Sequence, residues 1–133
     1  MKVLTLFFVL FMFDAATAQS DTRISTIEFV QILDDNREEA LFYYQNNWKV
    51  LREMAVKKSY IDSFGLLEVE FTEDQPYHII LMTTFANKDQ FEKSEQHFEE
   101  LIKAKGPLRL LNEKKPGEFR KNLYLKERVM HLN

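Results

Sequence analysis

Phe29-Val30-Gln31-Ile32-Leu33 and Tyr77-His78-Ile79-Ile80-Leu81-Met82-Thr83-Thr84-Phe85 decide how this chain folds. Both are rich in β-branched and aromatic residues, and both are apolar on nearly both faces, so each reads as a strand buried twice. The first belongs to a longer strand from Ile24 to Leu33, stopped by Asp34-Asp35-Asn36. Two further stretches alternate with period two. Phe64 to Phe71 sets Leu67, Val69 and Phe71 against Glu68 and Glu70. Arg120 to Met130 puts Leu123, Leu125 and Val129 on one face. A strand apolar on one face only belongs at a sheet edge. Two central strands flanked by two edge strands is therefore the expected sheet.

Between the strands the period changes. Leu41, Tyr44, Trp48, Leu51 and Ala55 recur at steps of three and four, which makes a helix running to about Lys58. Asn36 with Glu39, or Asp35 with Glu38, has the spacing of a capping box at its start. Phe91, Phe98, Leu101 and Ile102 share the inner face of a second helix, with Asn87 and Gln90 placed as its cap and Gly106-Pro107 as its end. Thr72-Glu73-Asp74-Gln75-Pro76 is a turn, so 64–71 and 77–85 form a hairpin. Residues 107–119 are the least regular part of the pattern.

The order is β-α-β-β-α-β, the split-βαβ or ferredoxin-like arrangement. The expected fold is α+β, with a four-stranded antiparallel sheet and two helices on one face. A cystatin-like sheet wrapped on a helix is the alternative. Residues 19–133 suffice for a single domain with a core that needs no staples, since a chain of this size buries roughly two-thirds of its unfolded surface.

Residues 1–18 have a different composition. Lys2 precedes an apolar run from Val3 to Phe13 broken only by Thr5, and Ala16 and Ala18 precede Gln19. A charged start, an apolar stretch and a small-residue cleavage site are the parts of a secretory signal peptide. The run is too short to span a membrane, which takes about 20 residues, and no second such run follows. The chain is therefore expected to be exported, to the periplasm or medium. Export permits disulfides, yet the chain has no cysteine. Thiol catalysis and cysteine metal sites are excluded.

Two helices cover only one face of a four-stranded sheet. The other keeps an apolar stripe: Val30, Ile32, Ile80 and Met82 in one phase, or Phe29, Leu33, Ile79 and Leu81 in the other. An apolar patch of that size calls for a second subunit or a ligand. The element order, the aromatic first helix and the doubly apolar central strands resemble the dimeric α+β barrel superfamily, which includes the antibiotic-biosynthesis-type monooxygenases. The resemblance spans roughly residues 24 to 130 and is one of pattern. It implies a homodimer with sheets packed face to face and a pocket between sheet and helices. It implies no activity, and no catalytic position carries over.

Tyr44 and Trp48, with Tyr43, have the helical spacing to line a pocket for a flat ligand or simply to fill a core. His78 shares a face with Ile80 and Met82 by alternation, and reads either as a cavity residue or as a hydrogen-bonded histidine at a strand end. Tyr44, Trp48, His78 and Met82 are thus the candidate ligand-binding residues. His97 and Glu100 lie three apart on the second helix, but no partner helix supplies further metal ligands. No nucleophile elbow, phosphate loop or cofactor fingerprint is present, and no catalytic residue, metal or cofactor is assigned.

Charge is unevenly spread. Residues 103–128 hold nine Lys or Arg against three Glu, while residues 19–102 are strongly acidic. The basic segment reads as a patch for an anionic ligand or surface, or as the internal counterpart of the acidic part. Nucleic acid does not fit an acidic exported chain without a basic–aromatic motif. The expected function is an exported, non-catalytic, homodimeric binding or interaction domain with an apolar cavity for a small apolar or aromatic molecule. A monooxygenase or haem-handling enzyme is the alternative.

Overall fold

The computed structural model describes residues 20–133; the expected signal at 1–18 lies outside them. Strand β1 (Ile24–Ile32) is followed by a long helix in three parts: α1 (Arg37–Tyr43), a π-helical turn (Tyr44–Trp48) and α2 (Lys49–Lys57). The hairpin is β2 (Ser63–Glu68) and β3 (Ile79–Phe85). The second helix is broken at Lys93 into α3 (Lys88–Glu92) and α4 (Ser94–Lys105). A one-turn helix α5 (Pro116–Phe119) leads into β4 (Arg120–Met130). The sheet is antiparallel in the order β2-β3-β1-β4, so the doubly apolar strands are central and the alternating ones are edges. This is the ferredoxin-like order, and with helices from two separate crossovers it sets aside the cystatin-like alternative.

The relative phase of the central strands differs from either set expected above. Val30 pairs with Ile79 and Phe29 with Ile80. Val30, Ile32, Ile79 and Leu81 therefore lie under the helix, where all four are buried with Ala40, Tyr44, Trp48 and Phe119. Ile27, Phe29, Ile80 and Met82 fall on the other face. Each strand's own alternation leaves its side undetermined; the cross-strand register decides it.

Edge strand β4 also departs from simple alternation. Its pairing with β1 shifts between Ser25 and Ile27 and between Phe29 and Val30, and Arg128 takes a left-handed backbone (φ 55°) in the first irregularity. Leu125 ends up opposite Glu28 and Val129 opposite Ser25, so they point to opposite sides.

The caps divide. Asn87 Oδ1 accepts from the Gln90 amide at 2.9 Å, and Gln90 Oε1 accepts from the Ala86 amide at 2.8 Å, as the spacing predicts. Asn36 makes no side-chain cap. Its amide donates to the Leu33 carbonyl, and its Oδ1 accepts from Lys114 Nζ. Glu39 likewise accepts from Lys114 and Asn112. The pair fastens the 107–119 segment instead of starting the helix. Asn47, buried in the π turn, fastens the segment's other end: it donates to the Arg109 carbonyl at 2.7 Å and accepts from the Arg109 amide at 2.8 Å. Unpartnered, such a buried amide would be costly; fully satisfied, it holds an irregular segment against the helix.

Candidate functional site

The helix-facing side of the sheet has two unlike halves. Over β1 and β3 the side chains close into a dry core. Tyr44 and Trp48 point down into it from the π turn, and Trp48 meets Phe64 edge-on at 5.9 Å. Burial pushes the Tyr44 phenol well up. At the rim of this half, between the long helix and edge strand β2, lies a cleft of about 450 Å³ floored by Leu41, Phe64, Leu66 and Ile79. Its polar side is Gln45, Lys49 and the fork-on-fork pair of Arg37 with Glu68, at 2.7 and 2.8 Å.

Over β1 and β4 the same side is polar. Glu28 sits mid-strand and accepts from Asn122 Nδ2 at 3.1 Å. Arg52 projects from α2, one turn beyond Trp48, and its guanidinium lies 4.3 Å from the Trp48 ring and 4.4 Å from that of Phe98. Its Nε donates to Thr83 Oγ1 at 3.3 Å. Desolvation lowers the Arg52 pKa to about 10, opposed by Glu28 and Tyr43; it stays charged at neutral pH. Arg120 lies over Tyr43 at 5.2 Å and reaches its hydroxyl at 3.5 Å. Arg128 lies over Phe91 at 4.8 Å. Two buried donors here have no partner, Trp48 Nε1 and Arg120 Nε.

The four candidate ligand residues do not meet in one place. Tyr44 and Trp48 share the closed core. Met82 is on the opposite face, in a shallow depression of about 360 Å³ with Ser25, Ile27, Val129 and His131. His78 lies at the entry to β3, where its Nδ1 accepts the Ile32 amide at 2.9 Å and its ring stacks on Phe71 at 4.8 Å. His97 stacks on Tyr60 at 3.7 Å, while Glu100 is taken by Lys58 and Tyr60. Among the described residues no three metal-ligating side chains converge. His131 is held by Ser25 Oγ at 2.8 Å. Glu28 and Arg52 stand outside the candidates that the sequence pattern offers, and Arg120 enters there only as one of the nine basic residues of 103–128. Glu28 and Arg52 carried a visible signal, a charge placed inside an otherwise apolar strand and an otherwise apolar helix face.

No family model matches the sequence, and no curated protein matches it. Solved structures do. One is HapK from Hahella chejuensis, 11% identical, covering 81% of this chain and 92% of that one with a TM-score of 0.49. A second is a dimeric protein of unknown function and ferredoxin-like fold from Bacteroides fragilis, 17% identical over 82% and 99% of the two chains, TM-score 0.47. A third is a proposed antibiotic biosynthesis monooxygenase from Nitrosomonas europaea, 11% identical over 86% and 97%, TM-score 0.43. At these identities and scores the likenesses reach no further than the ferredoxin-like arrangement that the strand order establishes.

Proposed function

We propose that this chain is an exported, non-catalytic binding protein that works as a homodimer and holds a small apolar or aromatic molecule between its sheet and its helices. The observation that carries the reading is the uncovered sheet face. Phe29 and Ile80 form its centre, Ile27 and Met82 extend it, and Leu67 and Tyr124 flank it on the edge strands at 48% and 55% exposure. A contiguous apolar face of this kind favours burial against a like face. Export rests on the three-part pattern of residues 1–18. Non-catalysis rests on the histidines, each engaged in stacking or hydrogen bonding: His78 with the Ile32 amide, His97 with Tyr60, and His131 with Ser25, whose hydroxyl is shared with Thr84 and is joined by no carboxylate among the described residues.

Native mass spectrometry of the processed protein from an exporting host tests this. A dimer carrying a reproducible small adduct is expected, and the adduct mass names the ligand class; a haem-sized adduct would favour the haem-handling alternative. A bare monomer would overturn the reading. Ile80→Glu places a charge at the centre of the face and is expected to weaken the dimer by about a hundredfold or more, read by sedimentation.

A further inference from the structure

The basic last quarter of the chain is only partly neutralised from within. Lys103 pairs with Glu99 at 3.1 Å and Lys114 with Glu39 at 3.0 Å. Arg120 and Arg128 have no such partner and line the helix-facing side of β4; Arg52 is on the same side of the sheet, bonded to Thr83 of β3, which pairs with Thr26 of β1. Among the described residues no carboxylate lies within ion-pair distance of any of the three. Each guanidinium instead rests on aromatic rings: Arg52 on Trp48 and Phe98, Arg120 on Tyr43, Arg128 on Phe91. Stacking fixes the plane of a guanidinium and leaves its N–H edge free. Arg52 uses only Nε toward the protein, and Arg120 only one terminal nitrogen.

Glu28 is the carboxylate of β1 on this side, and Asn122 already holds it. Arg52 is thus a largely desolvated cation with Glu28 acting on it only beyond ion-pair distance, an arrangement that is costly unless a further anion completes it. The strip is also open. Leu125, beside Glu28 on β4, is 55% exposed, and α4 packs on α2 instead of on β4.

We propose that this strip is the binding site for a small planar molecule carrying a carboxylate, with Arg52 taking the carboxylate through its free N–H edge, Arg128 adding charge at the same end, and the aromatic rings receiving the planar body. This rests on the small-molecule reading above and names the ligand class for it. The fork of an arginine matches a carboxylate in two parallel hydrogen bonds, which a lysine cannot supply.

Anilinonaphthalene sulfonate and phenylnaphthylamine share one aromatic skeleton and differ by the anionic group, so their fluorescence on binding isolates the charge. The sulfonate stands in for the carboxylate. The anionic probe is expected to bind the wild-type protein about tenfold more tightly than the neutral one. Arg52→Gln should bring the two near parity without moving the neutral probe's affinity, Arg128→Gln should cut the advantage in part, and Arg52→Lys should restore some of it. Ile80→Gln, on the opposite face, should leave the advantage intact. Equal binding of both probes to wild type would overturn the inference, as would an anionic advantage that survives Arg52→Gln or vanishes with Ile80→Gln. The neutral probe binding without preference overturns this inference alone. Binding of neither probe overturns the small-molecule reading with it. Thermal unfolding of each variant confirms that it is folded.

Discussion

Leu81 and Leu125 flank the same residue from two sides. Both lie opposite Glu28 in the sheet register, Leu81 on β3 and Leu125 on β4, and both point to the helix side. Leu81 is 2% exposed and Leu125 is 55% exposed. The long helix with its π turn lies over β1 and β3 and drops Tyr44 and Trp48 onto Leu81 and its neighbours. Over β4 no helix does the same: α4 leans on α2, and β4 is thrown out of step by two irregularities. One half of a single face has become a closed core and the other an arginine-lined strip. Period-two alternation says which residues share a side; whether that side is roofed depends on where the helices settle.

The largest expected effect breaks the comparison at its buried end. Leu81→Ala removes a fully packed side chain and should cost about 2–5 kcal/mol in urea unfolding. Leu125→Ala should fall within about 0.5 kcal/mol of wild type, as exposed positions do. Similar losses at both positions would mean that β4 is covered in solution, and the open strip would not exist.

A smaller effect of unusual sign sharpens it. Truncating a packed residue normally destabilises, but Arg52 is a largely desolvated cation with no carboxylate within ion-pair distance among the described residues. Replacing such a group by an apolar chain of similar length is often neutral or stabilising. Arg52→Met should therefore leave stability unchanged or raise it by up to about 1 kcal/mol, while removing the preference for an anionic probe. Stability withheld for the sake of binding has this signature. A loss of about 2 kcal/mol or more would instead make Arg52 a structural member of the core.

Much of this layout is written in the sequence, and the rest is not for identifiable reasons. The four strands, their central and edge ranks and both helices follow from Phe29–Leu33, Tyr77–Phe85 and the alternating stretches, because burial on one face or two leaves a composition mark. The pairing of Val30 with Ile79, instead of with Ile80, leaves none; it is set where the His78 amide donates to the Val30 carbonyl at 2.8 Å. That single step put Met82 on the far face from Tyr44 and Trp48. Asn36 and Glu39 have capping-box spacing, but Lys114, distant in sequence, claims both. The arginine strip was least legible. Arg120 and Arg128 share a side by simple alternation; that it is the helix side, with Arg52, is set by the register of β4 against β1, which the pattern does not show.

His78 gives the two halves their smallest and most selective difference. It ties the β3 side to β1 through its own amide and through Nδ1, which accepts the Ile32 amide; β4 has no titrating group in its ladder to β1 in that role. Desolvation lowers the imidazole pKa from its ordinary value near 6.5, with Glu68 acting the other way. The folded state thus binds this proton less readily than the unfolded chain. The contribution is complete above the unfolded value and is lost as pH falls through the folded one. His78→Asn keeps an acceptor oxygen at a similar reach and cannot titrate. Between about pH 7.5 and about pH 5 the wild-type urea midpoint should fall more than that of His78→Asn, modestly because the ring is only partly buried. Parallel pH profiles would show that the Ile32–His78 bond adds nothing measurable to stability, and the β3 half would then owe its closure to packing alone.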